Sequence, residues 1–224
     1  MSKPLLTHDL RSMFGDVRDQ GLRPTCLAFA VSDCHAALRA GWDPLSAEFV
    51  FYHAQRRAGL PPTEGALLLH ILDALRDDGQ PPEAVWPYLP ALPADISHWG
   101  PPAVSTRYFR GSARGPGSFD EIVDNLINGL PTVIVLHMGE AFYDPQSGIV
   151  AGYPGEKDVT RHAVIAVGAG TVGGQRAVLV RNSWGMSWGL NGYAWVTEKY
   201  ISQRLRRIAV LKEEVGVSAH QNAA

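Results

Sequence analysis

The chain has 224 residues, 46% of them hydrophobic and 19% charged, enough for one substantial core or two small lobes packed together. A net charge of -2, built from signs mixed along the chain, offers no basic face for nucleic acid or for an anionic membrane. The first ten residues lack a secretory apolar core, no stretch reaches about 18 apolar residues, and two cysteines cannot make a disulfide framework. The expectation is a protein of a reducing compartment, cytoplasmic or exported by a route that needs no signal peptide.

In chain order, residues 1–19 read as a mostly extended arm with a turn at Gly15. Thr25 is placed as the N-cap of a helix running from Cys26 to about Arg39, with Leu27, Ala30, Val31, Cys34 and Leu38 as its buried stripe and Gly41 as its stop. Ser46 opens a second helix to Ala58, and a third spans about Ala66 to Asp78, before Gly79. Pro81 to Pro102 holds seven prolines with Trp86, Tyr88 and Trp99, the composition of an irregular segment pinned by aromatics and crossing between lobes.

The pattern then changes to strands at 104–110, 132–137, 162–167, 177–181, 192–197 and 207–211, interrupted by a short helix that the capping box Ser118-Phe-Asp-Glu121 opens. Arg204, Arg206 and Arg207 are read as a solvated face, and residues 213–224 as a disordered tail. Helices first and strands later predict an α+β fold in one domain over 1–212. A helical lobe of about 20–100 would face a mainly β lobe of about 104–212, with the N-terminal arm packing on the latter and a cleft between the two.

The chemistry centres on Gln20-Gly-Leu-Arg-Pro-Thr-Cys26. A thiol attacks a carbonyl as thiolate, and the unpaired N–H groups of a helix N-terminus favour that charge, so Cys26 is the candidate nucleophile. It needs a base, an orienter for the base and donors for an oxyanion. His162 opens an apolar strand, Asn182 has an amide able to hold one imidazole tautomer, Trp184 can cover that contact, and Gln20 carries an amide N–H₂ beside Cys26. Cys34 has no such companions and is read as a core residue. His53, His70 and His137 are placed at element surfaces or as satisfied, partly buried groups, and no histidine pair has ligand spacing, so neither metal nor cofactor is expected.

Five motifs in order carry a family resemblance: Val17-Arg-Asp-Gln20-Gly21, Cys26-Leu-Ala-Phe-Ala30, Leu45-Ser-Ala-Glu48, His162-Ala-Val-Ile-Ala-Val-Gly168, and Arg181-Asn-Ser-Trp-Gly-Met-Ser-Trp-Gly-Leu-Asn-Gly-Tyr193. Together they resemble the papain and cathepsin family of cysteine peptidases. The resemblance implies a helical left lobe, an antiparallel β-barrel-like right lobe, and hydrolysis of peptide bonds through a Cys26 thioester. His162 would be the general acid/base, Asn182 its orienter and Gln20 the oxyanion donor. It further implies that Gly65 pairs main chain with an extended peptide and that Leu67, Leu68 and Ala163 border an apolar subsite.

The chain departs from the family at Leu22-Arg-Pro-Thr25 and at Leu27, where a structural cysteine and a tryptophan are replaced. The resemblance begins within about ten residues of Met1, so no pro-segment is expected and control is assigned to a regulatory protein or inhibitor, to the compartment or to narrow substrate choice. Besides a peptide or protein substrate, two other readings stay open: a papain-fold transferase, deamidase or dedicated effector, and a non-catalytic peptide-binding module.

Overall fold

The computed structural model describes residues 4–219. In chain order the elements are β1 (Leu5–Asp9), α1 (Cys26–Ala37), α2 (Ala47–Ala58), α3 (Leu68–Asp77), β2 (Thr106–Gly115), α4 (Phe119–Ile127), β3 (Thr132–Met138), β4 (Ile149–Val150), β5 (Thr160–Val172), β6 (Gln175–Arg181), β7 (Tyr193–Thr197), α5 (Glu198–Arg204) and β8 (Leu205–Ala219). The chain divides into two compact units. One contains the residues up to Asp19 and Ala113–Val210; the other contains Gln20–Ser112 and the chain from Leu211 onward.

In the first unit the strand path runs β8, β3, β5, β6, β7, β4. Antiparallel β3 and β5 put Val133 opposite Ile165 and Leu136 opposite His162, and along this path, among the described residues, only β4 with β7 is parallel. The edge of β5 that β3 leaves free is taken by β1, whose Leu6 pairs with Gly170. Glycine is required at that crossing, because a Cβ on residue 170 would lie 2.0 Å from the Leu5 carbonyl oxygen. Ile134, Leu136 and Met138 of β3 alternate onto one face, where Ile122 and Leu126 of α4 and Tyr200 and Ile201 of α5 pack against them. The sheet is open, not the barrel-like closure that was expected: its strand order ends on β4 and does not return to the strands at the other end.

The second unit is built on α1, and apart from Cys26 every residue of that helix is buried. It is therefore buried nearly all round, not striped, and Leu38, placed on the stripe, is its half-buried C-cap. Ser46 caps α2 by accepting from the Phe49 N–H at 3.1 Å, and its hydroxyl donates to the Trp86 carbonyl at 2.6 Å. Residues 81–102 are irregular and pinned as the aromatic content predicted: Trp86 and Trp99 both meet the Tyr52 ring edge-on, at 5.7 and 5.0 Å.

Three expectations are corrected. Thr25 makes no side-chain cap; its hydroxyl is 2.9 Å from the Tyr88 hydroxyl instead. Arg204 is buried, and its guanidinium donates to the carboxylates of Glu156 and Asp158, so it belongs to the interior of the first unit and not to a solvated face. Strand β8 continues through Ala219, so 213–219 is strand where a tail had been assigned. Residues 220–224 lie outside the described residues.

Candidate active site

Cys26 is the first residue of α1 and is partly exposed, with its thiol free of any disulfide. The helix that follows is twelve residues long, so the N–H groups of its first turn present partial positive charge to the sulfur. The loop delivering Cys26 is tied down by its own polar groups. The Arg23 carbonyl accepts from the Gln20 side-chain Nε2 at 2.8 Å and from the Thr25 N–H at 2.8 Å. The Tyr88 hydroxyl donates to the Gln20 carbonyl at 2.7 Å. Gln20 is thus buried with its amide aimed inside this loop. A Cβ on Gly65 would come 3.7 Å from the Pro24 carbonyl, which sets that exposed glycine beside the same loop. Leu67, exposed, and Leu68, half-buried, begin α3 just beyond it.

The first unit carries the imidazole. His162 is the third residue of β5, and Asn182 follows the last residue of β6. Asn182 Oδ1 lies 2.7 Å from His162 Nε2 and also accepts the Ser183 N–H at 2.9 Å. Because the Ser183 donor fixes this atom as the oxygen, the ring nitrogen facing it must carry hydrogen. The neutral imidazole is then protonated on Nε2 and basic on Nδ1. Trp184 lies over the ring with centroids 4.6 Å apart, and Phe142 meets it edge-on at 5.6 Å. This aromatic cover buries His162 and lowers its pKa from 6.5 to about 4 by desolvation, opposed by the Asn182 hydrogen bond. Ala163, the other β5 position assigned to a subsite, is buried.

Sequence reasoning brought out His162, Asn182 and Trp184 but missed what supports them. Phe142 stacks on Trp188 at 5.2 Å, and the Trp188 indole N–H donates to the Phe142 carbonyl at 2.9 Å. The tryptophan repeat at 184 and 188 was the available signal. Arg181 was also missed: its buried guanidinium donates to the Gly15 and Asp16 carbonyls and to the Tyr193 hydroxyl, fixing the residue before Asn182.

The model for papain family cysteine proteases matches residues 100–210. Papaya proteinase 4 of Carica papaya is 45% identical over 62 residues, 28% of this chain and 17% of its own length. An uncharacterized peptidase C1-like protein of Acanthamoeba polyphaga mimivirus is 27% identical over 206 residues, 82% of this chain and 65% of that protein. The chain thus spans less than two thirds of these curated relatives. Among solved structures, xylellain, a cysteine protease from Xylella fastidiosa, superposes with TM-score 0.73 at 24% identity over 94% of this chain and 90% of that one. The bromelain protease from Ananas comosus superposes with TM-score 0.71 at 21% identity, covering 95% and 99%. The chain is papain-like, in its sequence over the second half and in its fold over nearly all its length.

Proposed function

We propose that the protein is a cysteine peptidase that hydrolyses peptide bonds in a peptide or protein substrate. The observation that carries this reading is the His162 Nε2 to Asn182 Oδ1 hydrogen bond at 2.7 Å beneath Trp184, in a chain that also begins a helix with a cysteine outside any disulfide. An orienting amide that leaves Nδ1 basic is the arrangement a thiol nucleophile needs from its partner.

The roles follow from the chemistry. Cys26 Sγ gives its proton to His162 Nδ1 and attacks the scissile carbonyl, forming the C–S bond. The oxyanion is met by the Cys26 N–H and the Gln20 amide. His162 returns the proton to the leaving amine, which departs as the C–N bond breaks and leaves a thioester. Neutral His162 then takes a proton from water, whose oxygen attacks the thioester and releases acid and thiol. Gly65, Leu67 and Leu68 border the acyl side of the substrate in this reading, and a reducing compartment such as the cytoplasm keeps Cys26 reduced.

Hydrolysis of a mixed peptide library, followed by mass spectrometry, tests it. The native protein is expected to release products, Cys26→Ala to release none, and a thiol-directed epoxide to block release with one label on Cys26. Equal turnover by Cys26→Ala would overturn the reading.

A further inference from the structure

Arg23, three residues before the nucleophile, is buried although charged. Its guanidinium forks onto the Glu48 carboxylate, Nη1 to Oε2 at 2.6 Å and Nη2 to Oε1 at 2.9 Å, and Nη1 also reaches the Leu89 carbonyl at 2.6 Å. Glu48 is fully buried in α2 and accepts two more donors, the Leu89 N–H at 3.1 Å and the Trp99 indole N–H at 2.7 Å. Four donors meet its two oxygens, so the charge is compensated and its geometry is over-determined. The rings of Tyr88 and Phe51 lie 5.2 and 5.5 Å from the guanidinium carbon. The same residue's backbone carbonyl is the acceptor that aims the Gln20 amide.

We propose that Arg23 is a positioning residue: anchored by Glu48, it fixes the carbonyl that orients Gln20, and so it sets the oxyanion donor without touching substrate. A buried ion pair alone is weak grounds for stability, because desolvation opposes the Coulomb attraction. A bidentate fork on a carboxylate held by two further donors does, however, define where a loop sits. The clamp holds the stretch that delivers Cys26 to the start of its helix. The inference rests on the peptidase reading with Gln20 as donor.

A double-mutant cycle tests it, with turnover normalised to Cys26 titrated by the epoxide so that partial unfolding drops out. Gln20→Ala is expected to lower kcat about a hundredfold, the loss typical of one oxyanion donor. Arg23→Lys keeps the charge and loses the fork; it is expected to lower kcat about tenfold with KM little changed. If Arg23 acts through Gln20, adding Arg23→Lys to Gln20→Ala changes kcat by less than about twofold. Unchanged kcat in Arg23→Lys, or the same tenfold loss with Gln20 absent, would overturn the proposal. If Arg23→Lys does not fold, Arg23→Met with Glu48→Leu removes both charges and takes its place in the cycle, read by the same outcomes. Failure of the peptidase reading is separate, since it would show as no Cys26-dependent turnover in the native protein.

Discussion

The side-chain oxygen of Asn182 accepts from two donors at once, the Ser183 N–H and the His162 ring, and the first of these decides what the second must be. Replacing Asn182 by Ala removes a hydrogen bond worth about 1.5–3 kcal/mol when the ring becomes cationic, so kcat/KM is expected to fall about ten- to a hundredfold with Cys26 still labelled. Steady-state kinetics on the labelled-thiol scale checks this. Residues with a chemical signature were legible in the sequence: a cysteine opening a helix, a histidine opening a strand, an asparagine before a tryptophan. Arg23 and Arg204 were not, because a charged residue reads as solvent-facing unless its partners, Glu48 for one and Glu156 with Asp158 for the other, are seen to close around it. Thr25 was misread for a related reason: its hydroxyl has a distant partner, Tyr88, that outbids the local N–H groups.

Helix α1 shows how an element can hide its polar contents. Ser32, Asp33 and His35 are all buried within it, and His35 Nδ1 lies 3.0 Å from Gln80 Oε1. Gln80 Nε2 donates to Ser46 O, so its Oε1 accepts and His35 carries hydrogen on Nδ1. His35 Nε2 then has no partner, and burial lowers the pKa to about 3. The unfolded chain takes up this proton near 6.5, the folded one only near 3, so stability is complete above about pH 6.5 and is lost as pH falls toward 3. Thermal unfolding is expected at steadily lower temperature from pH 6.5 to 4, and His35→Asn, which keeps a donor for Gln80 without titrating, is expected to recover on the order of a few kcal/mol of the stability lost over that range. An unchanged slope in His35→Asn would contradict this.

Among the elements, long periodic ones were readable and short or edge ones were not. Helix α5 has seven residues, too few for a periodic signal, although the Thr197 hydroxyl accepts the Tyr200 N–H and so caps it. Strand β1, read from the sequence only as part of an extended arm on the β lobe, has no apolar alternation of its own; it forms where β5 outruns β3 and leaves an edge whose glycines admit another backbone.

Across the whole molecule, the chain passes three times between its two compact units, at 19/20, 112/113 and 210/211. The nucleophile candidate lies in one unit and the oriented imidazole in the other, so the peptidase reading makes a demand that neither unit meets alone: the Cys26 thiol must be activated by His162. Order along the chain, helices then strands, conveyed the α+β class, while the two-residue β4 is announced by no pattern. The rate of Cys26 alkylation by a small haloacetamide, followed from pH 4 to 9 in the native protein and in His162→Ala, tests the central claim most directly. The account predicts a native rate that persists well below neutral pH, because a thiolate beside His162 opposes the burial that lowers its pKa, and a His162→Ala rate that falls away below the ordinary thiol value of about 8.5. An ordinary thiol profile in the native protein, unaltered by His162→Ala, would contradict it.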